Sequence, residues 1–236
     1  MLFWNLLMGT NSITDIFFDL DHTLWDFDRN SAMTFEKIFR IHNIGVDLPE
    51  FLEVYEPINL EYWKLYREDK IDKPSLRYGR LKNSFDKISM SVSDEVINLL
   101  SEDYINYLPE NNFLFEGAFE ILNYLKPKYS LHIITNGFHE VQHGKLDKSN
   151  IASYFKTVTT SEMVGVKKPN PLIFHHALEL AGVKAKNSLM IGDNLEADVM
   201  GSLEVGLDAI CFNIHGTELD SNVKQVSNLI ELKSFL

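Results

Sequence analysis

Short apolar runs alternate with amphipathic segments along much of this chain. Residues Ile13–Leu20 form the first such run, rich in β-branched and aromatic side chains, and acidic residues appear at its end. This pattern predicts a buried strand that carries carboxylates at its carboxyl end. Beyond Pro109 the pattern predicts strands at Leu131–Thr135, around Phe155–Thr160, at Ser188–Ile191 and at Ala209–Asn213, and helices at Gly117–Leu125, Phe138–Leu146, Pro171–Ala181, Leu195–Val205 and near Val226–Phe235. Repeated strand–helix alternation predicts an α/β fold on a Rossmann-like, doubly wound parallel sheet, with ligands at the carboxyl ends of its strands.

The segment between about Asn30 and Leu108 has a different pattern. Its apolar residues recur at helical spacing, as at Phe35, Ile38 and Phe39, without the alternation of a strand. We therefore predict an α-helical cap inserted into the sheet domain. The predicted boundaries are 11–24 and 109–236 for the discontinuous core, 25–108 for the cap and 1–10 for an N-terminal extension.

Composition and charge exclude several classes of protein. Of the 236 residues, 45% are hydrophobic and 24% are charged, which excludes disordered and fibrous proteins. The 34 acidic and 22 basic residues give a net charge of −12, so we expect no binding to nucleic acid through a general basic surface. The single cysteine, Cys211, lies in an apolar run, which excludes a secreted disulfide scaffold and favours a buried structural thiol.

The apolar runs are too short to indicate a membrane protein. None approaches the roughly 20 residues needed to span a bilayer. Residues Met1–Met8 are apolar but lack the basic start and the small-residue cleavage site of a signal peptide, so we interpret them as the product of an upstream start codon or a frayed extension. We expect a cytoplasmic protein that is a monomer or a weak homodimer.

Two carboxylates follow the first predicted strand. Alternation along the strand places Asp19 and Asp21 on one side, while Leu20 faces the other way. Carboxylates this close repel one another unless a cation or a shared proton relieves them. Oxygen ligands of this kind suit a hard cation such as Mg²⁺ rather than zinc.

Two further strand ends and one loop carry polar residues. Thr135 and Asn136 end an apolar strand and precede a helix, where a hydroxyl and amides can cradle an anion. Asp193 follows another apolar strand, Asp198 lies about one helical turn later, and Lys168 supplies a loop cation. Each alone has an ordinary explanation as a turn, a helix cap or a solvated lysine. Their joint placement indicates a nucleophile, an acid–base group, a phosphate cradle and metal ligands.

These residues lie in four motifs, DLDHT, ITNG, KKP and GDNLEAD, and in this order the motifs resemble those of haloacid dehalogenase-superfamily phosphatases. The insert between the first and second motifs resembles the helical cap of the first cap subclass. The strings IFFDLDHTL, IITNGF, SEMVGVKKPNPLIF and GDNLEADVMG are most similar to those of the pyrimidine 5′-nucleotidases. That family dephosphorylates nucleoside monophosphates, including non-canonical ones.

The resemblance implies catalytic roles for four residues and a phosphate contact for a fifth. Asp19 is the nucleophile, which becomes a transient aspartyl-phosphate. Asp21 is the general acid that protonates the leaving oxygen and then the base that activates water. Thr135 and Lys168 hold the phosphoryl oxygens, with help from the amide of Asn136.

The resemblance also implies a metal site. Mg²⁺ is held by Asp19, by the backbone carbonyl of Asp21 and by Asp193, with Mn²⁺ or Co²⁺ as alternatives. Asp198 supports the metal's waters or orients Lys168. A metal and a lysine would together neutralise a phosphoryl group inside an acidic protein.

The predicted substrate is a small phosphorylated metabolite, and the cap would select it. Its aromatic residues could stack on a base, and Arg77 or Arg80 could reach a carbonyl or a phosphate, although such aromatics are more often core residues. These aromatic residues are Tyr55, Tyr62, Trp63, Tyr66, Tyr78 and Phe85. The leading hypothesis is a Mg²⁺-dependent nucleoside 5′-monophosphatase that prefers pyrimidine nucleotides.

Other functions remain open at this stage. The motifs define the reaction better than the substrate, so the alternative is a phosphatase of another metabolite such as a sugar phosphate, or a phosphomutase. A protein of a different class would carry phospho-aspartate for signalling or binding without turnover. A hydrolytic dehalogenase is disfavoured because dehalogenases of this superfamily lack the second aspartate, Asp21.

Overall fold

The computed structural model describes residues 13–236. The predicted N-terminal extension, 1–10, lies outside the described residues, as does the start of the predicted core. Across the described part of the chain, helices are either too short or too polar to traverse a bilayer.

The described chain divides into two compact units. One, here called the core unit, comprises residues 13–25, 114–137 and 151–236, and the other, the helical unit, comprises 26–113 and 138–150. Residues 138–150 therefore group with the helical unit although they lie inside the predicted core segment 109–236. The predicted domain boundaries stay predictions.

The core unit is built on a six-stranded parallel sheet in the order β3-β2-β1-β4-β5-β6. The strands are β1 (Asp15–Phe18), β2 (Ser130–Thr135), β3 (Phe155–Thr160), β4 (Ser188–Gly192), β5 (Asp208–Phe212) and β6 (Gln225–Val226). Strand β1 is completely buried and lies between β2 and β4, where Phe18 is opposite Ile133 and Ile191. This confirms the predicted Rossmann-like parallel sheet and brings the carboxyl ends of β1, β2 and β4 side by side.

The helices connect these strands or build the helical unit. In chain order they are α1 (Phe27–Ile41), α2 (Leu48–Arg67), α3 (Lys73–Lys87), α4 (Asp94–Tyr107), α5 (Ala118–Leu125), α6 (His139–Lys148), α7 (Ser161–Val164), α8 (Pro171–Ala181) and α9 (Gly201–Glu204), with 3₁₀ turns at Leu108–Glu110, Ala152–Tyr154, Ala185–Asn187 and Leu229–Ser234. Several helices begin where a side chain caps them. In each case a side chain accepts a hydrogen bond from a main-chain N–H in the first turn of the helix. The capping residues of α1 to α4 are Asp26, Asp47, Asp72 and Ser93.

Two predicted helices differ from the structure. The segment predicted as one helix, Leu195–Val205, is a π-helix at Leu195–Met200 followed by α9, because the N–H of Val199 reaches back five residues to the carbonyl of Asn194. The predicted terminal helix near Val226–Phe235 is wrong over its first part. Val226 pairs with β5, and the Asn228 side chain accepts the N–H groups of Ile230 and Glu231, so only a 3₁₀ helix follows.

Aromatic side chains form the interior of the helical unit. Phe35 packs against Phe51 at 5.0 Å and against Tyr55 at 4.6 Å between ring centroids, and Phe85 lies 5.1 Å from Phe51. Tyr55 and Phe85, two of the candidate base-stacking residues, are therefore core residues, in keeping with the more usual role of such aromatics.

Helix α6 belongs to the same unit through its own contacts. The ring of Phe138, just before α6, lies 5.2 Å from Trp63 and 6.0 Å from Tyr66. Near the other end of α6, Asn112 donates a hydrogen bond to the carbonyl of Lys148 at 2.9 Å. These contacts explain why 138–150 groups with the inserted segment.

Candidate active site

Asp19 follows β1 directly and remains bonded to the sheet. Its main-chain N–H donates to the carbonyl of Ile191 in β4 at 2.9 Å, and its side chain is buried. The chain then turns sharply: the N–H groups of Leu24 and Trp25 both donate to the carbonyl of Leu20, and His22 adopts a positive φ of 58°. The turn keeps Asp21, which is half-buried, close enough to Asp19 for their charges to interact.

The ammonium group of Lys168 lies at the centre of the site. It donates to Asp19 Oδ1 at 2.6 Å and to the carbonyl of Ile134 at 2.7 Å, and it lies 2.6 Å from Asp198 Oδ1. The hydrogen bonds to Asp19 and to Ile134 use two of the three ammonium protons, and the contact with Asp198 is an ion pair. The side chain is only 2% exposed, and water therefore screens its charge poorly.

Two more aspartates approach this pair from the segment after β4. Asp193 Oδ1 accepts a hydrogen bond from the hydroxyl of Thr23 at 3.3 Å, and Asp198 Oδ2 accepts the N–H of Asn194 at 3.0 Å. A methyl group on Gly192 would lie 2.3 Å from Asp198 Oδ2, so only glycine permits this close approach. Carboxylate oxygens of Asp19, Asp193 and Asp198 lie within 4.8 Å of one another.

Crowding of these acids shifts their protonation. The pKa of Asp19 is raised to about 8 in total: burial is the largest cause, Lys168 opposes it, and the charges of Asp198, Asp193 and Asp21 contribute to the rise. Burial also raises the pKa of Asp193 to about 8, with Asp198 adding and Lys168 again opposing. For Lys168, burial lowers the pKa, but Asp19 and Asp198 more than offset it, so the pKa lies above its ordinary value and the ammonium stays charged.

The side chains present fit a hard divalent cation. Three clustered carboxylates face a single ammonium, so ionising all three leaves the buried site with excess negative charge. The donor atoms are all oxygens, which Mg²⁺ prefers. Among the described residues, the clustered carboxylates do not include that of Asp21; the resemblance assigns its backbone carbonyl to the metal.

The two predicted phosphate-binding residues at the end of β2, Thr135 and Asn136, lie at the same edge of the sheet. Thr135 is buried, and its hydroxyl accepts the N–H of Gly137 at 3.0 Å. The Asn136 side chain bonds to the main chain of Lys168 at both its N–H and its carbonyl. The backbone amide of Asn136, and not its side chain, is therefore the group suited to the predicted cradle.

Sequence reasoning missed several partners in this site. Thr23 lies inside the first motif, and its motif position was the available signal. The Ile134 carbonyl, by contrast, is a main-chain group with no sequence signature.

Cys211 is buried as predicted, and its thiol donates to the carbonyl of Asp193 at 3.6 Å. Burial, with Asp193 and Asp198 nearby, raises its pKa to about 11, so it remains an unreactive thiol.

The chain is similar to known hydrolases over most of its length. Residues 15–206 match the model of the haloacid dehalogenase-like hydrolase family. The chain is 32% identical over 225 residues to the pyrimidine 5′-nucleotidase YjjG of Escherichia coli, covering 94% of this chain and 96% of that protein. It is also 32% identical over 208 residues to the pyrimidine 5′-nucleotidase PynA of Streptococcus pneumoniae, covering 86% of this chain and 85% of that protein.

A solved structure shares the architecture. The crystal structure of the HAD-hydrolase YfnB of Bacillus subtilis, bound to magnesium, superimposes with a TM-score of 0.86 at 27% identity. The match covers 95% of this chain and 99% of that one. The similarity therefore extends over both units.

Proposed function

This chain belongs to the haloacid dehalogenase-like hydrolases, and from that premise we propose that it is a Mg²⁺-dependent phosphomonoesterase acting on pyrimidine nucleoside 5′-monophosphates. The observation that carries the proposal is the buried Asp19–Lys168 contact of 2.6 Å inside a cluster of carboxylates. It supplies a nucleophile and a fixed positive charge within reach of one phosphoryl group.

Asp19 performs the first step. Its ionised carboxylate attacks phosphorus, forming an aspartyl-phosphate as the ester P–O bond breaks. The ammonium of Lys168 lies against Asp19 Oδ1 and favours the ionised form. The same ammonium and the buried Thr135 hydroxyl lie at the edge of the sheet where the phosphoryl oxygens would be held.

Asp21 moves the protons. It gives its proton to the leaving ester oxygen, so that the product departs as an alcohol. Asp21, now ionised, then takes a proton from the water that attacks phosphorus. The bond between Asp19 and phosphorus breaks, phosphate leaves, and both carboxyl groups return to their starting states.

Asp19, Asp193 and the backbone carbonyl of Asp21 would hold the metal. When bound, Mg²⁺ supplies positive charge that allows an anionic ester to enter an acidic site. Asp198, with one oxygen against Lys168 and the other against the N–H of Asn194, holds the ammonium in place.

The two nucleotidase relatives support the substrate class, because their identity to this chain extends through both the motifs and the inserted segment. A second substrate class, the sugar phosphates, enters the test as a competing outcome. Retention of phosphate on Asp19 without release would instead favour the signalling hypothesis.

The test measures phosphate release from dUMP, dTMP, UMP, purine monophosphates and several sugar phosphates, with Mg²⁺ and with a chelator. We expect turnover that is highest on the pyrimidine nucleotides and is lost in chelator and in Asp19→Asn. Turnover confined to sugar phosphates would replace the substrate, and turnover that survives in Asp19→Asn would refute the mechanism.

A direct assay of the intermediate completes the test. Asp21→Asn, incubated with radiolabelled substrate and quenched in acid, should retain label that hydroxylamine releases, as expected of an acyl phosphate. Asp19→Asn is the matched control and should retain none. Label in both variants would place the phosphoryl group on another residue.

A further inference from the structure

The Lys168 side chain is held at both of its ends by the end of β2. The ammonium donates to the carbonyl of Ile134, inside the strand, at 2.7 Å. The main chain of Lys168 is bonded to Asn136, the residue that follows the strand. Strand residues two apart are separated by about 7 Å, which an extended lysine side chain can bridge.

Asn136 uses both the oxygen and the nitrogen of its side-chain amide for this contact. Its Oδ1 accepts the N–H of Lys168 at 2.8 Å, and its Nδ2 donates to the carbonyl of Lys168 at 3.0 Å. This pairing of one donor and one acceptor resembles the bonding of a neighbouring strand. It attaches a loop residue to the sheet where β2 itself has ended.

The attachment matters because lysine is flexible. Four rotatable carbon atoms separate its ammonium from the main chain. Hydrogen bonds to the ammonium alone would therefore not fix the main chain of the loop, because the side chain can change conformation as the loop moves. With the main chain also fixed, the ammonium retains its position against Asp19 Oδ1 and Asp198 Oδ1.

We propose that Asn136 is a positioning residue: its side chain fixes the main chain of Lys168 to the end of β2, so that the ammonium stays on Asp19. The role differs from the phosphate contact that the sequence resemblance implies for this position. The proposal rests on the proposed function only in the second of the two tests below, which measures turnover.

The first test does not need turnover. Lysine acylation in chelator, followed by peptide mass spectrometry, measures how often the Lys168 ammonium becomes accessible. In Asn136→Ala we expect labelling of Lys168 to rise about 10-fold or more, because two partly buried hydrogen bonds to its main chain are lost. Lys145, which is equally buried at 2% exposure, is the internal reference and should not change.

Ser161→Ala is the matched control variant. It removes the hydroxyl that donates to the Asn136 carbonyl at 3.3 Å but leaves both bonds to Lys168 intact, so labelling should stay at the wild-type level. If Asn136→Ala does not fold, Asn136→Asp replaces it, since aspartate keeps the shape and the acceptor but loses the donor. Unchanged Lys168 labelling, or an equal rise at Lys145, overturns the proposal.

The second test is a double-mutant cycle on kcat. Asn136→Ala should lower kcat about 10²-fold, the scale of a misplaced catalytic group. In a Lys168→Arg background, where the cation is retained but already displaced, the same change should cost much less. If Asn136→Ala lowers kcat by the same factor in both backgrounds, the proposal is overturned. An inactive wild-type protein would refute the proposed function and leave the labelling result standing.

Discussion

One aspartate, Asp15, begins strand β1 and another, Asp19, follows its last residue; each contacts a buried basic side chain, but the two ends of the strand balance charge differently. At the start, Asp15 Oδ1 lies 3.0 Å from His132 Nε2, and Oδ2 accepts the hydroxyl of Thr14 at 2.7 Å. His132 Nδ1 lies 2.7 Å from the Thr157 hydroxyl, and its ring stacks on Phe17 at 4.7 Å. Each carboxylate oxygen and each ring nitrogen at this end has one partner.

At the carboxyl end, the Asp19–Lys168 pair shares its space with two more carboxylates. Burial raises the pKa of Asp19 to about 8, whereas at the other end burial lowers the pKa of His132 despite the bond to Asp15. The first end is therefore a closed hydrogen-bonded network within the sheet. The second holds surplus acid that a ligand can neutralise, and such perturbed groups indicate a functional site.

Substituting Asp15 and Asp19 in turn should produce the largest difference between the two ends of β1. Asp19→Asn should lower kcat at least about 10⁴-fold while the fold survives, because the nucleophile is lost. Asp15→Asn should leave kcat within a few-fold and lower the melting temperature instead. Steady-state kinetics and thermal melting of both variants measure this, and equal losses of activity would contradict the division of roles.

Removing His132, the basic partner of Asp15, is expected to have the next largest effect. His132→Ala removes the imidazole partner of the buried Asp15 carboxylate, so we expect the free energy of unfolding to fall by about 3 kcal/mol. Urea unfolding measures this, and kcat per folded molecule should stay at the wild-type level. A large loss of kcat with little loss of stability would assign His132 to the reaction.

Crowding at the carboxyl end can be tested with a single methyl group. Gly192→Ala places Cβ against Asp198 Oδ2, so Asp198 and the ammonium it holds must move, and we expect kcat to fall about 10²-fold. Gly45→Ala, where the added methyl meets nothing within 4 Å, is the matched control. Similar kinetics for the two variants would show that Asp198 tolerates displacement.

Local patterns predict β1, β2, β4 and β5 well because these strands are short, largely buried and bounded by polar residues. They fail where pairing with a distant segment decides the outcome. Val226 lies in an amphipathic stretch that suits a helix, yet it pairs with β5. Likewise, the grouping of α6 with the helical unit depends on the contacts of Phe138 with Trp63 and Tyr66, which sequence spacing does not reveal.

The candidate site shows the same limit. Strand-end positions predict that Asp19 and Asp193 meet, since parallel strands end at one edge of the sheet, and the motif resemblance adds the loop residue Lys168. The bonds that hold Lys168 come from the Ile134 carbonyl and from the side chain of Asn136 paired with main-chain atoms. Main-chain acceptors have no side-chain signature, so only the folded geometry identifies them.

The smallest expected effect is a pH dependence of stability that distinguishes the two ends of β1. Asp19 and Asp193 have a pKa of about 8 in the folded protein, well above the ordinary 3.8, so the folded state holds protons that the unfolded chain has released. Raising the pH towards 8 in chelator therefore favours unfolding. His132 acts in the opposite sense, because its lowered pKa reduces stability only as the pH falls below its ordinary 6.5.

Thermal melting in chelator between pH 6.5 and 8 thus isolates the carboxyl end. We expect the melting temperature to fall across this range, because the free energy of unfolding decreases by at most about 1.4 kcal/mol per pH unit for each proton released. Asp193→Asn removes one of the two titrating acids and should flatten the fall, and saturating Mg²⁺ should abolish it because a bound cation favours ionised carboxylates. If wild type and Asp193→Asn followed the same slope, the surplus charge would not lie at the carboxyl end of β1, and the contrast between the two ends would fail.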